Sequence, residues 1–467
     1  MNKSLFYIVV VAAIGGFLFG FDSGVISGCE KAIQSEFGLS AFWHGLIVSG
    51  ALIGTVIGVF TAGRPSDRWG RKPTLWLMAV LFLISAVGCA LTPYDGSWGP
   101  HLLGWFRFIG GLAIGGVSVV VPLYIVEISP GKYRGRLVAM NQLNIVFGIL
   151  VSYISNYLVA RFLPDADPRI VWRVMLGVEC VPIALFMALL ATIPESPRWL
   201  VRAGRPEAAR GVLERIGYPE IQQTLDEIAE SLREAAGGVD VALFQRRYFK
   251  PILLAFLIAF FNQVSGINAI NYYAPRLFQM IFGEGSELAA LAGTIGVGAV
   301  NLTFTILAFL VIDRFGRRAM IIGGAAMMIL MHALVAWQLS RPAPNAAIAV
   351  TGILGFIAFF AISSGAVIWV YISEVFPNAV RAKGQALGCF THWFMCTLIS
   401  WAFPAVAERA GTWAFAFFAL MMAVQLTWAI FFMPETKGGT IEDIERRLGI
   451  DGTAQRPARR IGETKCI

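Results

Sequence analysis

Residues 67–72 read DRWGRK, and residues 313–318 read DRFGRR, 246 positions later. Two further blocks travel with this pair. YIVEISPGKYR at 124–134 returns as YISEVFPNAVR at 371–381, an offset of 247, and PES at 194–196 returns as PET at 434–436, an offset of 240. Three blocks recurring at nearly one spacing mean that a unit of about 240 residues occurs twice, and such a repeat constrains the fold before any single element does.

Apolar runs fill the unit. They fall at about 5–28, 43–63, 73–92, 101–126, 137–160 and 171–193, and again at 251–281, 288–312, 319–339, 346–373, 384–407 and 411–433. Each is close to the roughly 20 residues that cross a bilayer as a helix. The chain is 57% hydrophobic and 14% charged, against about 25% charged for a soluble domain. Lipid must therefore be the solvent for most of it. The expected fold is an all-α membrane protein with twelve transmembrane helices in two six-helix repeats. One bundle covers 1–193, cytoplasmic linker helices cover 194–250, a second bundle covers 251–433, and a cytoplasmic tail covers 434–467. The first run has Lys3 alone before it and no small-residue cleavage site, so it reads as a retained helix rather than a signal peptide.

Charge gives the orientation. With both termini in the cytoplasm, 29 of the 37 Lys and Arg fall inside, 7 fall outside, and Arg107 lies within a run. This is a positive-inside pattern, expected of a multi-pass protein of the cell membrane. It accounts for the net charge of +8 without a nucleic-acid partner, because the bases are spread over short segments. Cys89, Cys180, Cys389 and Cys396 lie in apolar runs and read as small apolar side chains. No CxxC pair or His cluster marks a metal, and no cofactor is expected. The linker strings RPEAARGVLERI and YPEIQQTLDEIAESLREAA alternate apolar and charged positions at helical spacing, as amphipathic helices under the bundle would. TIEDIERRLGI in the tail reads as a short helix before a disordered Pro/Arg/Gly-rich end.

The repeated blocks concentrate charge at the cytoplasmic edge. Asp67, Arg68 and Arg71 in one half match Asp313, Arg314 and Arg317 in the other, and an ExxPxxxR pattern adds Glu127 with Arg134 and Glu374 with Arg381. Local capping and topology are one reading. A latch that ties the two halves together in one conformation and releases them in another is the second, and the repetition favours it.

Four apolar runs carry polar residues that need partners. FNQVSGINAINYY at 261–273 holds Asn262, Gln263, Asn268 and Asn271, amides that both donate and accept. Phe19, Trp369 and Trp393 offer flat apolar faces in other runs. Amides beside aromatic rings suit a carbohydrate better than packing alone does. FLFGFDSGVISG at 17–28 holds Asp22, and a carboxylate there costs roughly 2.5–3.5 kcal/mol on insertion scales. Arg107, in WFRFIGGLAIGG, is the natural partner, and Glu179, in GVECVPI, is a second buried acid. The pair is either a permanent salt bridge or one that separates and lets Asp22 take a proton.

The motifs GRPSDRWGRK, PESPRWL at 194–200, DRFGRR and PETKG at 434–438 together resemble the sugar porter family of the major facilitator superfamily, and QVSGINAINYYAP at 263–275 is a block specific to sugar porters. The resemblance runs from about residue 10 to 440. It implies the major facilitator fold and transport of a monosaccharide. The chain is similar to bacterial proton-coupled xylose and glucose symporters. Their pattern implies sugar-binding roles for Gln142, Gln263, Asn268, Tyr272, Asn301, Gly365, Trp369 and Trp393. It implies proton coupling at Asp22, where passive facilitators of the family carry asparagine, with Glu179 tuning it. Ile149, Asn262 and His392 depart from the xylose pattern, which leaves the sugar open, and His392 either bonds the sugar or titrates alongside Asp22. The expected function is monosaccharide–proton symport by a monomer, with a passive facilitator as the alternative. A sugar sensor would need a long signalling tail. An ATP-driven pump lacks its phosphate loop, and an enzyme lacks a cluster fit for chemistry.

Overall fold

The computed structural model describes residues 2–94, 98–237, 241–283 and 285–438, and residues 444, 446, 448 and 450 beyond them. The tail expected from 434 onward therefore lies mostly outside the described residues. Among the described residues, twelve helices are long and apolar enough to cross a membrane. Spans 1 to 6 are Lys3–Glu36, Ala41–Thr61, Arg71–Ala90, Gly99–Ile128, Arg134–Phe162 and Pro168–Leu190. Spans 7 to 12 are Arg246–Phe282, Glu287–Phe315, Arg317–Leu339, Ala346–Glu374, Arg381–Glu408 and Thr412–Phe431. With twelve crossings, the start of span 1, the segment between spans 6 and 7 and the end of span 12 share one side, called here the linker face; the other is the far face.

The twelve runs expected from sequence match these spans with one informative difference. The first run was expected to stop near residue 28, yet its helix continues to Glu36. The continuation includes Glu30, which stays buried because it meets Arg276 and His44 there.

The three repeated sequence blocks meet in space, once in each half. Gly70 and Gly316 adopt φ of 110° and 92° and turn the chain from one span into the next, a conformation that only glycine takes readily. A Cβ at either position would also strike a carboxylate, of Glu195 at 2.3 Å or Glu435 at 2.7 Å. The residue after each glycine starts a span. Arg71 forks onto Glu127 at 2.7 and 2.8 Å, and Arg317 forks onto Glu374 at 2.9 and 3.2 Å. Ser196 Oγ and Thr436 Oγ1 donate to the same two glutamates, each at 2.6 Å. Glu195 and Glu435, from PES and PET, accept the backbone N–H groups that open spans 3 and 9. The blocks recur because each half needs all three to finish one corner.

Between the halves, span 1 packs on span 7, span 2 on span 11 and span 5 on span 8. Adding six to the span number exchanges the last two contacts, as a repeat with a twofold relation requires. The largest apolar core is shared by both halves and includes Phe21, Val25, Tyr153, Tyr273, Phe278 and Phe403. Cross-half polar contacts gather toward the far face: Lys31 Nζ donates to Gln279 Oε1 at 2.7 Å, Gln34 Nε2 to Glu408 Oε1 at 3.0 Å, and Trp401 Nε1 to the Phe42 carbonyl at 3.2 Å. The far face is closed. On the linker face, helix Pro206–Ile216 buries Ala209, Val212, Leu213 and Ile216 against the first half.

Candidate functional site

Spans 6, 7 and 10 depart from regular helix where the polar residues sit. Span 7 is two helices, Phe249–Val264 and Ile267–Phe282, and Gly266 between them has φ 87°. Backbone freed in a membrane has to be satisfied by protein. Here the Asn262 carbonyl accepts from Ser265 Oγ at 2.6 Å, and the Ser265 carbonyl bonds His332 Nε2 at 2.9 Å. Span 10 contains a π-turn at Ala361–Gly365, a distortion frequent at functional sites. Its Ser364 carbonyl accepts from Asn262 Nδ2 at 3.0 Å. Span 6 breaks at Val178–Glu179, where Pro182 has no N–H to give the Val178 carbonyl.

The break in span 7 gathers a polar chain. Gln263 Nε2 donates to Asn262 Oδ1 at 3.0 Å and lies 3.0 Å from His392 Nδ1, and Asn268 Nδ2 donates to Gln263 Oε1 at 2.6 Å. Aromatic rings wall this chain. The Trp369 ring centre is 4.9 Å from that of His392, the Trp393 ring 5.0 Å from it, and Phe19 lies 5.5 Å from Trp393 across the two halves. This cluster presents donors and acceptors along one side and apolar faces along another. Sugars, with hydroxyl edges and C–H faces, fit that description.

Not every residue singled out from sequence joins the chain. Gln142 is half-buried on span 5 beside Asn141. Asn301 Oδ1 accepts from Thr305 within its own span at 3.4 Å. Gly365 closes the π-turn next to Ser364. Tyr272 points instead toward the charged residues, with Ser23, Asp22 and Arg107 among its polar neighbours.

Those charged residues form a separate cluster in the first half. Arg107 Nη1 donates to Asp22 Oδ1, and the two side chains are 2% and 1% exposed. Gly110, one turn along span 4, leaves room for the carboxylate, since a Cβ there would come 3.0 Å from Asp22 Oδ2 and 2.5 Å from Ser85 Oγ. Glu179 sits at the break in span 6, 3% exposed, within electrostatic reach of Asp22 and Arg107. Asp22 Oδ2, Glu179 Oε1 and Arg107 Nε and Nη2 have no hydrogen-bond partner among the described residues. Two carboxyl groups therefore face one guanidinium in a sealed space.

The linker-face charges pair within each half. Asp67 meets Arg71 at 3.4 Å and Arg202 at 3.0 Å, and Asp313 meets Arg317 at 3.2 Å. Arg381 Nε donates to the Phe376 carbonyl at 3.4 Å, and Arg68, Arg134 and Arg314 are exposed. Each fork finds its carboxylate in its own half, so among the described residues these arginines form no cross-half latch in this conformation. The two corner glutamates differ. Burial lifts the Glu195 carboxyl above the usual range, although three backbone N–H groups pull the other way. Glu435 is also raised by burial, but its four backbone N–H bonds outweigh this and hold it below the usual range. Among the described residues, no group of three His, Cys, Asp or Glu is placed to hold a metal.

The chain is similar to known proteins in sequence and in fold. The family described as "Sugar (and other) transporter" matches residues 8–448. The D-xylose-proton symporter of Escherichia coli K12 is 37% identical, over 95% of this chain and 96% of its own. The glucose transporter GlcP of Staphylococcus epidermidis is 34% identical, over 96% of this chain and 98% of its own. Among solved structures, the inward open conformation of the xylose transporter XylE from E. coli aligns with a TM-score of 0.83 at 35% identity, covering 95% of this chain and 99% of that one. A twelve-span fold among the described residues and a family match across nearly the whole chain lead to one conclusion: this protein is a transporter, not an enzyme, and belongs to the sugar transporter family of the major facilitator superfamily.

Proposed function

We propose that the chain is a monosaccharide–proton symporter of the cell membrane, carrying a hexose or a pentose by alternating access and acting as a monomer. The excess of Lys and Arg on the linker side supports a cytoplasmic linker face with both termini inside. The conformation described is then closed to the outside.

The observation that carries proton coupling is the sealed set of Asp22, Glu179 and Arg107. Two carboxyl groups against one guanidinium leave an excess negative charge in a buried site, and a proton on one of them relieves it. In the cycle, Asp22 takes that proton while the far face is open and loosens its hold on Arg107. Sugar then fills the pocket at Gln263, Asn268 and His392, between the rings of Phe19, Trp369 and Trp393. The halves rock until the linker face opens. Asp22 re-pairs with Arg107, which favours its charged form, and proton and sugar leave to the cytoplasm. Tyr272 supports a link between the two sites, because it belongs to the pocket helix and borders the charged cluster. The linker-face charges, from Asp67, Arg68, Arg71, Glu127 and Arg134 to Asp313, Arg314, Arg317, Glu374 and Arg381, would pair across the halves when that face closes.

Uptake of labelled pentoses and hexoses into proteoliposomes, with and without an imposed pH gradient, tests the proposal. A symporter accumulates sugar above the external level when the outside is acid. A passive facilitator, in which the Asp22–Arg107 bond is permanent, only equilibrates it.

A further inference from the structure

The far face is held by a buried charged cluster that the cycle above does not use. Glu30 of span 1 is 1% exposed and receives a two-pronged bond from Arg276 of span 7, in the other half, at 3.0 and 2.8 Å. Arg276 Nη2 also donates to Gln34 Oε1 at 2.5 Å. His44 of span 2 is 0% exposed, and its Nε2 lies 3.1 Å from the same Glu30 oxygen that Arg276 Nη2 reaches. One carboxylate is thus bonded by a fixed cation from the second half and approached, without a hydrogen bond in this conformation, by an imidazole ring from the first. The other ionisable groups around it are Tyr273 of span 7, whose ring centre is 6.1 Å from that of His44, and Cys29 beside Glu30, with Arg107 deeper on the Cys29 side. Lys31, bonded to Gln279, and Glu408 of span 11, bonded to Gln34, form the rim.

Arg276 stands just past a hinge. Tyr273 has non-helical φ and ψ of −124° and 18° within the helix. Pro275 offers no N–H to the Asn271 carbonyl, and that carbonyl accepts from the Tyr153 hydroxyl of span 5 at 2.9 Å instead. The end of span 7 that carries Arg276 is free to tilt as a unit when the far face opens.

We propose that Glu30, Arg276 and His44 form a proton-sensitive bolt: protonated His44 takes Glu30 over from Arg276, so acid on the far side favours opening. In the closed state Arg276 already neutralises Glu30, and protonating His44 sets two cations against one carboxylate. In the open state Arg276 leaves with span 7, and Glu30 would stay behind without its cation. A protonated His44 supplies the missing charge. Both effects make His44 bind its proton more tightly in the open state, and by linkage the proton then drives opening. The proposal rests on alternating access. It is independent of Asp22, because the bolt has its own acid, base and titrating group.

Spin labels at Ser40 and Glu287, on far-face ends of the two halves, report opening as a distance in purified sugar-free protein in nanodiscs. Asp22→Asn serves as the background, so that only other groups respond to pH. Acidification from about pH 8 to about pH 6 is expected to raise the open-to-closed ratio roughly tenfold, within the usual range of coupling between two linked equilibria. Adding His44→Gln, or His44→Phe as a second variant that keeps a ring against Tyr273, should hold the change below roughly twofold on the same scale. Arg276→Gln should shift the distance toward open at both pH values. A flat pH response in the Asp22→Asn protein overturns the proposal, as does a response that persists in either His44 variant that folds. Failure of proton-coupled transport would show separately, as lack of sugar accumulation by the unmodified protein.

Discussion

A pH gradient of one unit is worth about 1.36 kcal/mol per proton, which at one proton per sugar supports at most roughly tenfold accumulation. That sets the scale for Asp22. Asn in its place keeps the side-chain shape beside Gly110 and Arg107 but carries no proton. Asp22→Asn should exchange labelled for unlabelled sugar across proteoliposomes and yet hold the internal-to-external ratio near one whatever the gradient. Gln263 is the matching residue in the pocket, since its amide meets Asn262, His392 and Asn268 together. Gln263→Ala would leave those groups without their central partner, at about 1–3 kcal/mol for each buried polar group left unsatisfied. Sugar affinity, read by quenching of the fluorescence of nearby Trp369 and Trp393, should fall by at least roughly tenfold, one factor of ten being about 1.4 kcal/mol. At this scale much of the site is legible in the sequence. A lone acid and a lone base in apolar runs point to one another, and amides clustered in FNQVSGINAINYY ask for partners. Glu30 is not legible, because it follows the apparent end of its run and its partners arrive from residues 44 and 276.

The corners built by the repeated blocks carry opposite pH signs, which makes them a test of how each element is capped. Glu195 has its carboxyl raised by burial, so the folded protein binds that proton more tightly than the unfolded chain does. Its contribution is lost as pH rises through the window between the ordinary Glu value and the raised one. Glu435 is lowered, so its contribution is present above the ordinary Glu range and is lost as pH falls through the lowered value. Relative to the unmodified protein, Glu195→Gln should become more thermostable as pH rises through the carboxylate range and Glu435→Gln less so. Tm followed from acid to neutral pH in detergent checks both signs, and parallel curves would refute the assignment. Spans themselves are easy to read from apolar length. The irregularities in spans 6, 7 and 10 are harder. Pro182 warns of the break in span 6 and Pro275 of the kink at Tyr273. The break at Gly266 and the π-turn at Ala361–Gly365 have no proline, and the turn's Ser364 carbonyl is satisfied by Asn262 from another span.

At the scale of the whole molecule, the repeat predicts two similar halves, but the conformation they adopt is set by contacts that no repeat encodes. The far-face bonds between Lys31 and Gln279, Gln34 and Glu408, and Phe42 and Trp401 join unlike residues at positions without counterparts in the repeated blocks. If transport needs that face to open, fixing it shut must stop the cycle. Cysteines at Lys31 and Gln279, whose side chains meet at 2.7 Å, offer attachment points on opposite halves. The native Cys29, Cys89 and Cys396 are buried, which leaves the new thiols as the accessible pair on this face. A bifunctional thiol reagent applied to the double variant should abolish both sugar uptake and exchange, whereas the same reagent on either single variant should leave most of the activity. A reducible bridge adds the control, because cleaving it restores opening without touching the pocket. Continued exchange in fully bridged protein would mean that sugar crosses without separation of the halves at the far face, and the rocking cycle would have to be abandoned.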